Sequence, residues 1–347
     1  MNSLPDSSKI PIKNIYYMLC YAWGHLLEKG YTDVLNNDDK DINNLLTRIL
    51  LSKLKTLIKR GFYKEYKKYD DEASLLRGKF LFKESINSLS FLRGKMKFVY
   101  EDMSHDILHN QIIKTILYQL GKSEKLDNNL KFELFKIVPF FESIQLIKLN
   151  SSVFDQINYH RNNHHYRFVL DICRFLFESL LVHENGDNGK FIEFDRNPRA
   201  MAYLFEEFVR SFYRNELKGH RVFRENIYWD ALGENLEYLP LMQTDISIES
   251  DTEKIIMDTK YYQNSLTANY GSQKLISGNL YQLFAYLNNH KKAQGKRISG
   301  VLLYPQGDQV LNLSYTIMGY PLKVVTVDLN SDWKSIHKRL VEIVCGN

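Results

Sequence analysis

Residues 241–263, LMQTDISIESDTEKIIMDTKYYQ, decide how the second half of the chain folds. Ile246 and Ile248 alternate with Asp245, Ser247 and Glu249, the period of a half-buried strand. Ile255, Ile256 and Met257 open a second strand, and the residues between, Ser250 to Glu253, favour a turn. A turn on Asp251 and Thr252 sets Asp245 opposite Asp258, with β-carbons ~5 Å apart. Lys260 lies two residues further along the same face, with Gln243 as its expected cross-strand neighbour. Two facing carboxylates repel, and a divalent cation removes the conflict. Magnesium suits such a pair because it takes one or two carboxylates and completes its shell with water and phosphate oxygens. The carbonyl of Thr259 offers a further ligand, and the lysine can hold or help deprotonate an attacking water and balance phosphate charge. The plainer alternative is a solvated hairpin with its polar residues facing outward.

The flanking segments extend this reading. YLFEEFVRSF (203–212) has helical spacing and can deliver Glu206 to the edge of the site. NLYQLFAYL (279–287) is a helix that places Gln282 and Tyr286 on one face. From 198 onward the expected order is helix (198–217), strands (221–229, 241–249 and 254–262), helix (275–290), strands (298–304 and 321–328) and a final helix. This describes an α/β domain with a mixed central sheet.

The first half reads as α+β. Ile15, Leu19, Ala22 and Trp23 recur at helical spacing, with Gly30 as the expected stop, and a second amphipathic helix covers 40–59. GFYKEYKKYDDEASLLRGKFLF reads as two strands joined by an acidic turn at Asp70 and Asp71, and MKFVYED (96–102) as another strand. Helical spacing returns over 105–185. The polar, Gly- and Asn-rich HENGDNGKF (183–191) marks a boundary. The expected domains are therefore 1–185, with a β-hairpin region near 61–102, and 191–347.

A chain of 347 residues exceeds one comfortable core, which agrees with two domains. Its net charge of +5 is compatible with a polyanionic partner. Cys20, Cys173 and Cys345 are far apart, which excludes a disulfide framework or zinc ribbon and favours a reducing compartment. The leader MNSLPDSSKIPIKN lacks an apolar signal core, and there is no apolar run of the ~18 residues needed for a membrane span, so a cytoplasmic protein is expected. The pairs His160/His164 and His105/His109 have helical metal-ligand spacing, but HExxH is missing and the Asn-rich setting of the first pair favours a solvated loop. The run KRGFYKEYKKY (59–69) reads equally as a phosphate or partner contact and as the charged face of a hairpin. No GxxxxGK[ST] occurs, so any nucleotide belongs to a partner.

Several stretches together resemble the McrC family, the nuclease subunits of modified-cytosine restriction systems. They are IPIKNIYYMLCYAW (10–23), RGKF (77–80), HYRFVLDICRFL (165–176), FDRNP (194–198), TDISI (244–248), IIMDTKYY (255–262), NLYQLFAYL and LLYP (302–305). The resemblance implies a PD-(D/E)xK nuclease fold for 191–347, although Thr244 stands where the fold's name has proline. It implies Asp245 and Asp258 as magnesium ligands and Lys260 as the catalytic lysine, with Glu206 and Gln282 as further site residues. It also implies an N-terminal part that binds an McrB-type AAA+ GTPase ring and stimulates it, with GTP held by that partner, and double-stranded DNA containing methylated cytosine as substrate. A single Asp-Asp-Lys set attacks one phosphodiester at a time, so double-strand cleavage calls for association of two complexes. Competing readings are a non-catalytic activator of an AAA+ GTPase and a stand-alone RecB-like nuclease. The intact Asp, Asp and Lys disfavour the first, and the long N-terminal region disfavours the second.

Overall fold

The computed structural model describes residues 10–28, 41–181, 197–262, 266–269, 272–290 and 295–346. The chain forms two compact units, one of Met1–Ile42 with Ile192–Asn347 and the other of Asn43–Phe191. The expected boundary at 183–191 lies outside the described residues. The division differs from a single body over 1–185 at its start. Helix α1 (Ile12–Ala22) is buried continuously from Asn14 to Tyr21, so it has no solvent face and needs neighbours all round. Those neighbours come from the far end of the chain. Tyr21 packs against Phe208, Phe212 and Trp333 with ring centroids 5.7, 5.4 and 5.6 Å away. Asn14 Nδ2 donates to the carbonyls of Leu329 and Ser331 at 2.8 and 2.9 Å. The helix stops at Ala22, short of the expected Gly30, because Gly24 takes a left-handed φ of +73° after Trp23 N–H has bonded to the Leu19 carbonyl.

The second unit is mainly helical. Helices α2 (Ile42–Arg60), α4 (Leu108–Lys122) and α7 (Arg167–Leu181) bury Leu46, Leu50, Leu54, Ile112, Ile116 and Leu170, and α5 (Asn128–Ile137) adds Leu134. Two short helices, α3 (Phe82–Asn87) and α6 (Ser151–Asp155), lie between the longer elements. Its sheet has the order β1-β3-β2, with β1 (Glu65–Ala73), β2 (Lys79–Phe80) and β3 (Met96–Ser104). The acidic turn expected at Asp70 and Asp71 is instead mid-strand, where they pair with Val99 and Phe98. The strand runs through because its charges meet opposite charges across the ladder: Lys67 faces Asp102, Lys68 faces Glu101 and Glu72 faces Lys97. The RGKF stretch also has a steric reason. Gly78, at φ +77°, passes so close to Tyr100 that a β-carbon there would run into the Val99 carbonyl.

In the first unit, α8 (Pro198–Glu216) is capped by the Asn197 side chain, which accepts from Arg199 N and Ala200 N, with proline at the first helical position. The central sheet has six strands in the order β12-β13-β11-β8-β7-β4. They are β4 (Arg221–Phe223), β7 (Ile246–Glu249), β8 (Glu253–Thr259), β11 (Arg297–Pro305), β12 (Asn312–Ile317) and β13 (Tyr320–Val327). Strands β8, β11 and β13 are parallel and the other pairings antiparallel, which is the expected mixed sheet. Helix α9 (Ser277–Asn289) lays Leu283 and Leu287 against Ile256, Leu302 and Val324. A β-carbon on Gly300 would lie 3.0 Å from both leucines, so the glycine sets how closely the helix seats. Helix α10 (Trp333–Cys345) closes the unit, and Tyr213 of α8 donates to its Leu340 carbonyl. The pair β9 (Leu266–Asn269) and β10 (Ser272–Leu275), like β12, was not among the expected strands.

Two expected strands are broken. The segment 221–229 splits into β4 and β5 (Asn226–Ile227), and 241–249 into β6 (Met242–Gln243) and β7, with β5 and β6 pairing in a small separate sheet. No helix among the described residues is long and apolar enough to cross a membrane.

Candidate active site

The β7–β8 hairpin has the expected register: Ile246 faces Met257, Ser247 faces Ile256 and Glu249 faces Lys254. Ser250 closes the turn by donating N–H to the Glu253 carbonyl at 2.9 Å while its hydroxyl accepts from Glu253 N–H at 3.1 Å. Continuing this register one step brings Asp245 alongside Asp258. Asp245 Oδ2 accepts from both the Thr259 N–H at 2.8 Å and the Thr259 hydroxyl at 3.0 Å. Asp258 is fully buried on β8, next to Leu302 of β11. Lys260 Nζ lies 3.0 Å from Asp258 Oδ1 in a hydrogen bond and 2.9 Å from Oδ2. That second contact is an ion contact off the hydrogen-bond direction, so buried Oδ2 has no donor.

Electrostatics follow from this packing. Burial pushes the Asp258 carboxyl up to about 7; Asp245 adds to the rise and Lys260 opposes it. Burial alone would lower the Lys260 ammonium, but Asp258 and Asp245 more than reverse this and hold it above the usual lysine range. The two shifts have different causes, burial for Asp258 and the neighbouring carboxylates for Lys260, and the excess negative charge favours a proton or a cation. The donor set, two carboxylates with a buried and unserved oxygen, suits a hard divalent cation.

Helix α9 supplies the roof. Gln282 Nε2 donates to the Tyr286 hydroxyl at 2.7 Å. Burial raises the Tyr286 hydroxyl above its ordinary range, the Gln282 hydrogen bond opposes this, and the charges of Asp258 and Asp245 raise it further, so both carboxylates are within electrostatic reach. Tyr304 of β11 is likewise raised, to about 12, chiefly by burial, while its hydroxyl accepts from Asn279 Nδ2 at 2.9 Å.

Not every expected residue is in this group. Glu206 is bound by Arg224 and by Arg210 Nη1 at 3.1 Å, and Arg210 in turn donates to the Asp245 main-chain carbonyl at 3.2 Å. Glu206 is thus one arginine removed from the carboxylate pair. Gln243 does not neighbour Lys260; it pairs with Asn226, because the chain leaves the central sheet at Thr244. The Lys260 N–H bonds to the Leu303 carbonyl instead. His160 Nε2 meets the Tyr63 hydroxyl at 2.9 Å and His109 Nε2 meets Asn163 Nδ2 at 3.2 Å, so these histidines serve local hydrogen bonds. Among the described residues no group of three or more His, Cys, Asp or Glu is placed to hold a metal.

Three participants escape sequence reasoning. Arg210 stands four residues after Glu206, a spacing that could have been noticed. The Thr259 hydroxyl carried no signal beyond its position. Glu225 carried none at all. Burial works to raise its carboxyl, yet His290, Lys254 and Ser247 together hold it down at about 2.

Comparison with known proteins is consistent along the chain. A family model described as "McrBC 5-methylcytosine restriction system component" matches residues 6–305. The type IV methyl-directed restriction enzyme EcoKMcrBC of Escherichia coli (strain K12) is 32% identical over 337 residues, covering 96% of this chain and 97% of that protein. A solved half-complex from the tetradecameric assembly of Thermococcus gammatolerans McrB AAA+ hexamers with bound McrC superposes with a TM-score of 0.61 at 17% identity. That match covers 96% of this chain and 76% of the solved one, and it is a likeness of fold.

Proposed function

The chain belongs to the McrBC 5-methylcytosine restriction-system family, and on that premise we propose that it is the DNA-cleaving, McrC-type subunit of a modification-dependent restriction complex. The observation that carries the proposal is the Asp245–Asp258–Lys260 group, in which Asp258 is fully buried, carboxylates outnumber ammonium by one, and Asp258 Oδ2 has an ion contact to Lys260 but no hydrogen bond. The six-stranded unit is read as the PD-(D/E)xK nuclease fold. Asp245 and Asp258 would hold magnesium, with the Thr259 carbonyl as a third protein ligand. The cation supplies Lewis acidity toward a phosphate oxygen and acidifies a water.

The remaining work falls to the chain. The Thr259 N–H and hydroxyl orient Asp245, leaving its carboxylate directed at the β8 strand. Lys260 keeps its proton on Nζ, since the carboxylates hold it above the ordinary range. With a cation on the carboxylates it would hold or help deprotonate the attacking water and balance charge on the phosphate. Gln282 and Tyr286, joined by a hydrogen bond on α9, would donate toward a bound phosphate. Lacking a nucleotide-binding loop, the chain depends on an McrB-type AAA+ GTPase for GTP hydrolysis and for reading methylated cytosine.

The test is cleavage of methylated double-stranded DNA by the chain with its AAA+ partner, GTP and magnesium. Asp258→Ala should lose cleavage by orders of magnitude while still binding the partner and stimulating its GTPase. Full cleavage by the folded variant would remove the nuclease reading.

A further inference from the structure

The strand that carries Asp245 does not pair evenly. Between β4 and β7, Phe223 faces Ser247; between β5 and β6, Asn226 faces Gln243. Residues 224 and 225 therefore lie opposite residues 244–246, two against three. This break between two ladders of separate sheets acts as a bulge, with its extra residue on the Asp245 side. Bulges re-aim side chains and interrupt the ladder, so the backbone at 244–245 lacks regular cross-strand bonds to fix it.

Glu225 replaces those bonds. Its N–H donates to the Thr244 hydroxyl at 3.1 Å, and its carbonyl accepts from Thr244 N–H at 3.0 Å. Its carboxylate accepts from the Ser247 hydroxyl at 2.9 Å, and that hydroxyl lies 3.1 Å from the Thr244 hydroxyl. The bulge is thus gripped from both sides of Asp245. The same carboxylate pairs with Lys254 at 2.8 Å and with His290 at 3.4 Å. Lys254 is on β8, the strand of Asp258, and is almost wholly buried. His290 immediately follows α9, the helix of Gln282 and Tyr286. One carboxylate therefore joins the three segments that bring Asp245, Asp258 and the α9 roof together.

We infer that Glu225 is a positioning residue for Asp245, holding the bulge at 244–246 in the shape that presents the Asp245 carboxylate to the cation. The inference rests on Asp245 and Asp258 as the metal ligands. Outer partners of metal ligands commonly contribute ten- to a hundredfold in metal affinity, and a ligand on irregular backbone depends on them more than one fixed within a ladder.

The experiment is calorimetric titration of Mn²⁺ into the full chain without DNA or partner, for the wild type, Asp258→Asn, Glu225→Gln and Thr244→Val. Each variant's folding is checked by its melting transition. Asp258→Asn should abolish binding, and Glu225→Gln and Thr244→Val should each weaken it by about ten- to a hundredfold. The double variant should be no weaker than the weaker single one, since both loosen the same bulge. Thr244→Val leaves the Glu225–Lys254 pair untouched, so it decides the question if Glu225→Gln does not fold. Wild-type affinity in folded Thr244→Val, or in folded Glu225→Gln, overturns the inference while an Asp258-dependent wild-type signal leaves the nuclease reading standing. Equal binding by the wild type and Asp258→Asn overturns both.

Discussion

Two antiparallel pairs in this chain are built from similar alternating, acid-rich sequence and resolve their charges in opposite ways. In the β1–β3 ribbon, lysines stand across from acids, and Arg77 and Arg93 add ion pairs to Asp102 and Glu72 at 2.8 and 2.7 Å. Water reaches these groups, and every acid named has a cation beside it. In the β7–β8 hairpin, β8 is buried from Lys254 through Thr259, and acid stands next to acid. A charge in water with a nearby opposite charge contributes little and asks for nothing more. A charge buried in excess of its partners demands something from outside. The same local pattern therefore leaves its charges balanced in one place and in excess in the other, and burial decides what the excess costs.

The largest expected break in this contrast is between two lysines. Lys260→Ala should lower DNA cleavage by orders of magnitude while calorimetry still detects metal binding, since the ammonium supplies charge and not coordination. Lys68→Ala on the ribbon should leave cleavage unchanged. Loss of metal affinity in Lys260→Ala would contradict the division of roles.

Acid should separate the regions next. Glu225 and Glu249 are both held at about 2, the first by His290, Lys254 and Ser247 against the effect of burial, the second by Lys296 and Arg221. An unfolded glutamate takes up its proton near 4.5. The stability these groups contribute is full above that value and is lost as pH falls from there towards 2, on the order of 2 kcal/mol for Glu225. Unfolding followed across this window should show a flatter dependence in Glu225→Gln. An unchanged slope would mean that its partners do not hold the carboxylate as described.

Gly78→Ala should cost about 1–3 kcal/mol, because the backbone conformation and the close approach to Val99 both oppose a β-carbon. Faster amide exchange confined to the ribbon, with metal affinity unchanged, is the expected signature. The smallest effect belongs to the Lys68/Glu101 cross-strand pair, for which a double-mutant cycle should give a coupling below about 1 kcal/mol. A larger coupling would mean that the ribbon is less solvated than its exposure indicates.

The register of the β7–β8 hairpin was legible because alternation and a two-residue turn suffice to define it, and both are local. The bulge beside it was not. Residues 221–229 and 241–249 each read as an unbroken strand, and the slip between them exists only once Phe223 and Asn226 have found Ser247 and Gln243. Glu225 was invisible for the same reason. Asp70 and Asp71 were misread as a turn because their residue type favours one, while the lysines that make the strand acceptable lie on another segment. Strand β12 is largely exposed, so it shows little of the apolar pattern that reveals a strand. The mixed sheet itself was readable from the order of its well-patterned segments.

Helix α1 has a consequence in time as well as in space. Its Asn14 reaches carbonyls at Leu329 and Ser331, more than three hundred residues later in the chain. A ribosome makes α1 some three hundred residues before Leu329 and Ser331, so the aromatic face around Tyr21 waits while the residues between are made. Contacts of such long sequence separation form late. The intervening helical unit can fold as soon as it emerges, whereas the unit with the carboxylate pair can close only after Leu329 and Ser331 have been made. A fragment beginning at 191 would lack α1 altogether and leave Phe208, Phe212 and Trp333 without the Tyr21 ring. The order of synthesis thus delays completion of the unit that holds Asp245 and Asp258 until the helical unit between its two parts has been made.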